Sequence, residues 1–243
     1  MLAIIGGSGL AKLADLSDMR REVVRTPHGD PSCALTFGQL DGTPVVFLAR
    51  HGYGHTIAPH EINYRANLWA LKAVAAEGVI AVATVGGIRD ALGPGELVVP
   101  DQLIDYTWGR ASTYFEGVDQ PVTHIDFTQP YDVGLRARLL DAGTRANESM
   151  HDGGVYGCTQ GPRLETAAEI ERLARDGCDL VGMTGMPEAA LARELGLPYA
   201  CLAVVANHAA GRGSSASSIS LEQINVVLEG AMRRVRRILG AVG

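Results

Sequence analysis

Several absences limit what this 243-residue chain can be. Its four cysteines, Cys33, Cys158, Cys178 and Cys201, lie far apart and form no C-x-x-C pair, so the spacing gives no sign of a disulfide framework. The last three sit in apolar runs, where cysteine packs as a small hydrophobe. No stretch approaches the roughly 18 apolar residues a membrane span needs. The opening segment, MLAIIGGSGLAKLADL, has no basic region ahead of its apolar run. It reads as a first core strand and not as an export signal, which predicts a cytoplasmic protein. Net charge is −6, and no stripe of Lys or Arg runs along the chain. The one basic cluster, Arg233, Arg234, Arg236 and Arg237, falls at the end of a helical pattern, where cations complement the helix dipole. Nucleic acid is therefore not an expected partner. There is no internal repeat and no Pro- or Ser-rich linker, so residues 1–243 are expected to form a single domain.

What is present is ordinary globular composition, 47% hydrophobic and 20% charged. Short Val- and Ile-rich runs alternate with amphipathic stretches of helix length. Strands are predicted at 2–6, 34–39, 44–49, 79–84, 97–99, 155–158, 180–183 and 199–205. Helices are predicted at 61–76, 134–148, 166–176, 187–195 and 220–239. Runs such as VIAVATV and YACLAVVA are apolar on consecutive residues, the pattern of strands covered on both faces. Pro187 suits a first helical turn, and Ser220 with Gln223 suits a capping box. The reading is an α/β fold: a central mixed, mostly parallel sheet flanked by helices. The segment GRGSSASSIS (211–220) is small and polar, either a plain surface loop or an active-site lid.

Four strand ends carry donor-rich residues. IIGGSGL fails the dinucleotide fingerprint, with Lys12 where a glycine is needed, and fails the nucleophile elbow, with Leu10 in the last glycine position. It remains a tight turn presenting Ser8 and backbone N–H groups, a phosphate cradle or a simple turn. FLARHG ends a buried strand with Arg50 and His51. That suits an oxyanion, since arginine offers a fork matched to phosphate; a surface arginine paired with a carboxylate is the alternative. His55 and His60 read as loop or cap residues, and with Glu61 alone beside them a zinc site is not expected. ATVGGI runs Thr84 into paired glycines that let backbone approach a ligand. VGMTGMPEAALA places Met183 and Thr184 at a strand end, Met183 either in the core or against a ligand. Four such loops at the C-terminal ends of strands favour a polyatomic anion there.

The segments IIGGSGL, LARHG-x-x-HTI-x-P, NYRANLWALK, CTQGPRLET, MTGMPEAALARELGLPYACLA and VVANHAAG, in this order, resemble the trimeric purine nucleoside phosphorylase and methylthioadenosine phosphorylase family across nearly the whole chain. The resemblance implies a nucleoside phosphorylase that needs no metal or organic cofactor, with inorganic phosphate as co-substrate. It implies phosphate contacts from Ser8, Arg50, His51, the Thr84 backbone and Thr184, and Met183 against the ribose. Asn207, His208 and Ala209 would surround the base, with Asn207 at N7 and the 6-position and Glu165 at N1. His124 would reach a neighbouring subunit's site in a homotrimer.

Adenine-specific members of that family carry Asp at the positions of Asn207 and Ala209, and Ser at that of Glu165. An asparagine accepts from a protonated N7 while donating to O6, and an ionised Glu165 suits the N1–H of a 6-oxopurine. Glu165 could alternatively serve only as a charge before the helix beginning TAAEIERLA. Leu221, or Ile219 if the alignment slips, replaces the histidine that meets a 5′-hydroxyl, which favours a methylthio group. Leu164 stands where an aromatic usually stacks on the base. The chain also stops before the C-terminal segment that closes the site in longer relatives. The expected reaction is phosphorolysis of S-methyl-5′-thioinosine, with inosine or guanosine and methylthioadenosine as alternative substrates and a non-catalytic nucleoside-binding protein as a distant one.

Overall fold

The computed structural model describes residues 1–10 and 16–242. Strands β1 (Leu2–Gly6), β4 (Thr43–Ala49), β5 (Gly78–Gly87) and β11 (Tyr199–His208) form the centre of one mixed sheet. β1 pairs in parallel with β4 and β5, and β5 in parallel with β11. Antiparallel pairs join β3 (Leu35–Leu40) to β4, β10 (Leu180–Gly182) to β5, and β6 (Leu97–Val99) to β11. β9 (Val155–Cys158) runs parallel to β10, and β7 (Gln102–Asp105) parallel to β9.

Consecutive residues of the central strands serve opposite faces, as a period of two requires. Ala3 and Ile5 of β1 join Val79 and Ala81 of β5 on one face, beneath helices α1 (Tyr64–Ala73) and α4 (Glu188–Glu194). Leu2, Ile4, Ile80 and Val82 point the other way, under α2 (Val133–Arg145) and α5 (Leu221–Gly240). Helix α3 (Ala167–Arg175) packs Ile170 and Leu173 into a third cluster with Val181 and Ala209.

Most differences from the sequence reading are at element ends. Helix α1 begins at Tyr64 and not at 61, because Asn63 caps it by accepting from the Ala66 N–H at 3.0 Å. Helix α4 starts at Glu188, leaving Pro187 as the N-cap residue outside the first turn. Ser220 accepts from the Gln223 N–H at 3.3 Å, one half of the expected box, whereas Thr166 and Glu169 form the full reciprocal box on α3. Strand β2 (Ser17–Glu22, SDMRRE) carries no apolar alternation and is exposed throughout, held as an edge by backbone pairing to β3. β7 and β8 (His151–Asp152) are too short to leave a period. Residues 211–220 hold a 3-10 turn, Gly213–Ser215, with Ser215 buried. Cys158, Cys178 and Cys201 are buried free thiols, and burial pushes Cys158 and Cys201 up to about 12.

The arrangement that opens a site is a change of neighbour along one edge of β5. β11 follows the other edge from Val79 to Gly87. β1 pairs only as far as Ala81, and β10 takes up the same edge at Gly86. Glycine keeps the junction passable: a Cβ on Gly182 would land on the Tyr156 hydroxyl, which itself accepts from the Thr184 N–H at 3.4 Å. Gly182→Ala is expected to cost about 1–3 kcal/mol by overpacking. It should also displace Thr184, lowering turnover in protein that still folds at reduced temperature, as read by thermal denaturation and assay together.

Candidate active site

A cavity of about 550 Å³ opens at the gap between β1 and β10. Ser8, Arg50, His51, Thr84, Leu164, Glu165, Met183, Thr184, Asn207, Ala209, Ile219 and Leu221 all stand in its wall, so residues spread over most of the chain meet there. Both apolar candidates for the sugar side line it, joined by Ile224. Two predicted residues do not. The His208 ring is turned onto the following loop, where Nδ1 lies 2.9 Å from Ser214 Oγ and accepts from the Ser214 N–H at 3.3 Å. His124 is exposed on the segment between β7 and α2, outside its own chain's cavity.

The floor is the turn after β1. Gly7 lies so close to the β5 edge that a Cβ would sit 2.8 Å from Val82 O and 2.9 Å from Arg50 Nη1. Gly9 takes φ 82°, a backbone region where glycine costs least. Thr84 spends its hydroxyl on Ser8 O at 2.9 Å, tying this turn to β5, and Ser8 Oγ lies 3.4 Å from His55 Nε2.

Arg50 is buried, and the sequence reading of an open fork needs correction. Its Nε and Nη2 donate to Glu188 at 2.7 and 2.8 Å, and Nη1 donates to Val82 O at 3.0 Å. A guanidinium has five N–H bonds. Two are therefore left for a ligand, one on each terminal nitrogen. Burial alone would depress the arginine's pKa, but the Glu188 charge and hydrogen bonds reverse that and raise it.

His51 Nδ1 lies 2.8 Å from Ile57 O, which can only accept, so Nδ1 carries the proton and Nε2 is the atom left over. Burial, then the Arg50 charge, pushes the His51 ring down to about 4. The His55 ring lies tilted at 4.6 Å from it, with φ 52° at His55.

At the other end, a β-bulge in β11 sets Val205 opposite Val85 and Asn207 opposite Gly86. The bulge buries Ala206 and aims Asn207 at the cavity. Asn207 Nδ2 donates to His208 O at 2.6 Å. This fixes which end of the amide is oxygen and leaves Oδ1 and one N–H free of that contact. Glu165 Oε1 accepts from Thr159 Oγ1 at 2.6 Å, which leaves Oε2 for a ligand. The sequence reading missed Glu188, Thr159 and the placement of His55. Glu188 lies 138 residues from Arg50, and no spacing signals that pairing.

Among the described residues no three His, Cys, Asp or Glu side chains gather as a metal site, and no helix is long and apolar enough to cross a membrane.

Comparison with known proteins shows the family. The profile of the Phosphorylase superfamily matches residues 1–242. A protein of Xanthomonas campestris pv. campestris named probable S-methyl-5′-thioinosine phosphorylase is 52% identical, covering 98% of this chain and 95% of its own. The 6-oxopurine nucleoside phosphorylase of Pyrococcus furiosus is 42% identical, covering 99% and 91%. The structure of Schistosoma mansoni methylthioadenosine phosphorylase in complex with adenine superposes with a TM-score of 0.94 at 31% identity, covering 99% and 90%.

The depressed His51 pKa has a stability consequence. The unfolded chain takes up a proton at this residue below about 6.5, whereas the folded ring stays neutral down to about 4. Folding stability should therefore fall as pH drops through that window, by up to about 1.4 kcal/mol per pH unit from this one group. Denaturant titrations between pH 7 and 5 are expected to show a shallower slope in His51→Gln than in the wild type; equal slopes would refute the assignment.

Proposed function

Since the chain belongs to the phosphorylase superfamily, we propose that it phosphorolyses S-methyl-5′-thioinosine, giving hypoxanthine and S-methyl-5-thioribose 1-phosphate. The observation that carries this reading is the pairing of Asn207 and Glu165 in the same cavity wall as Ser8, Arg50, His51 and Thr184. One end supplies donors for an anion, and the other supplies the polar pattern of a 6-oxopurine. The Xanthomonas relative's name supports the same substrate.

Phosphate bound by Ser8, Thr184 and the two remaining Arg50 N–H groups is held below C1′ of the sugar, which replaces diffusional encounter with proximity. His51, neutral near pH 7, offers Nε2 to the P–OH of hydrogen phosphate. As the glycosidic bond stretches, positive charge develops on the sugar and meets the phosphate. Negative charge develops on the base, where the Asn207 N–H meets O6 and Oδ1 accepts from the protonating N7, already oriented by the His208 carbonyl. Asparagine cannot supply that proton, so it comes from water. Glu165, steadied by Thr159, accepts from N1–H. Met183 packs on the ribose, and Ile219, Leu221 and Ile224 form an apolar wall for the methylthio group. Leu221 is 68% exposed in the single chain, so this wall is open, and inosine is a weaker second substrate. His124 extends to the site of a neighbouring copy in a cytosolic homotrimer, and the reaction uses no metal or organic cofactor.

Free-base release from methylthioinosine, inosine, guanosine and methylthioadenosine, each with and without phosphate, tests the reading. Methylthioinosine with phosphate should be fastest, and equal turnover without phosphate would sink it. Asn207→Asp should lower activity on oxopurine nucleosides and raise it on adenine ones. A carboxylate repels O6 but accepts from the 6-amino group, and a buried polar mismatch of about 1–3 kcal/mol is about ten- to a hundredfold in kcat/KM. An unchanged ratio of oxopurine to adenine activity would rule out Asn207 as the base reader.

A further inference from the structure

We propose that Glu188, the first residue of α4, is a positioning residue for phosphate, acting through Arg50. Its side chain is fully buried, yet it is a carboxylate. Both oxygens are engaged: Oε2 accepts from Arg50 Nε, and Oε1 accepts from Arg50 Nη2 and from the Tyr199 hydroxyl at 2.8 Å. A bidentate contact of this kind fixes the guanidinium plane as well as its distance. With Val82 O holding Nη1 from the β5 edge, the side chain has no rotational freedom left. The two N–H groups not used by the protein are thus aimed without any help from a ligand.

The pair also joins the two walls of the anion site. Arg50 follows β4, while Glu188 stands four residues after Thr184, at the start of α4 just past the turn from β10. The Ala189 N–H donates to Gly185 O at 3.1 Å, so this turn and the first residues of α4 move together. Tyr199, at the start of β11 and itself buried, fixes the carboxylate from a third element. Because Glu188 cancels the arginine's charge, the site binds phosphate through the direction of its donors more than through net charge. A buried pair kept only for stability is replaceable by apolar packing, whereas one that aims a ligand-binding group is not.

This inference rests on the phosphorolysis reading, and the experiment separates the two. Glu188→Gln removes the charge and turns one acceptor into a donor facing the guanidinium. Its KM for phosphate is expected to rise about tenfold or more, with the nucleoside KM within about twofold, since hydrogen bonds to charged groups are the strong ones. Tyr199→Phe removes only the third contact and keeps the core volume. It should move the phosphate KM in the same direction by about two- to threefold. If Glu188→Gln does not fold, Tyr199→Phe decides. Unchanged phosphate KM in every folded variant overturns the proposal, as does an equal rise in both KM values. Direct titration with inorganic phosphate completes the test. Wild type that binds phosphate more tightly than the variants, yet releases base without it, would refute phosphorolysis and leave the Glu188 role standing.

Discussion

The edge of β5 facing β1 and β10 governs the rest of the molecule. A strand buried in the middle of a sheet normally has its backbone groups paired along both edges, because an unpaired buried carbonyl costs about 1–3 kcal/mol. Here β1 stops pairing at Ala81 and β10 starts at Gly86, so a short stretch must find other partners. Val82 O takes an Arg50 N–H, while the Thr84 side-chain hydroxyl ties the turn after β1 to the same edge through Ser8 O. The polar groups that repair the sheet are the same ones that face the cavity. The requirement to satisfy an interrupted ladder is met by a residue that also lines the cavity.

Placing an arginine there creates a second demand. An unpaired guanidinium at 1% exposure would be costly, and Glu188 meets that demand from the opposite wall. Breaking such a buried pair typically costs about 3–5 kcal/mol, so the fold and the anion site share one weak point. The nearby positive charge acts in turn on His51, adding to burial in keeping that ring neutral. The cavity therefore presents oriented donors beside a compensated charge.

How much of this the sequence disclosed depends on whether each feature leaves a local pattern. The central strands were legible because burial on both faces writes consecutive apolar residues, as in VIAVATV and YACLAVVA. β2 was not, because SDMRRE is an exposed edge strand held only by backbone pairing. The strand-end loops with Ser8, Arg50, His51, Thr84, Met183 and Thr184 were visible as glycine-flanked polar residues after apolar runs. What each side chain touches was not. Glu188 reads on paper as an ordinary first-turn acidic residue of a helix, and only folding brings it against Arg50. His208 was misplaced because adjacent residues in a strand point to opposite sides, and the bulge that aims Asn207 into the cavity turns its neighbour onto the loop.

The base end follows the same logic by weaker means. Asn207 and Glu165 are each fixed by one neighbour, the His208 carbonyl and the Thr159 hydroxyl, and neither neighbour competes for the atoms facing the cavity. An amide whose nitrogen is held by a carbonyl cannot exchange its ends without placing oxygen against oxygen. The order of acceptor and donor shown to a base is therefore a property of the backbone at the bulge. Changing base preference requires changing the side chain itself, since rotation alone is blocked. The sugar end has no such lock: Ile219, Leu221 and Ile224 offer shape without direction. Discrimination by apolar shape is worth about 1–3 kcal/mol for one or two carbon-sized groups, about as much as one mismatched polar contact, whereas several polar contacts mismatched together can reach roughly 10⁴–10⁵-fold. Under the proposed reading, selectivity in this cavity is steep at the base and shallow at the 5′ position.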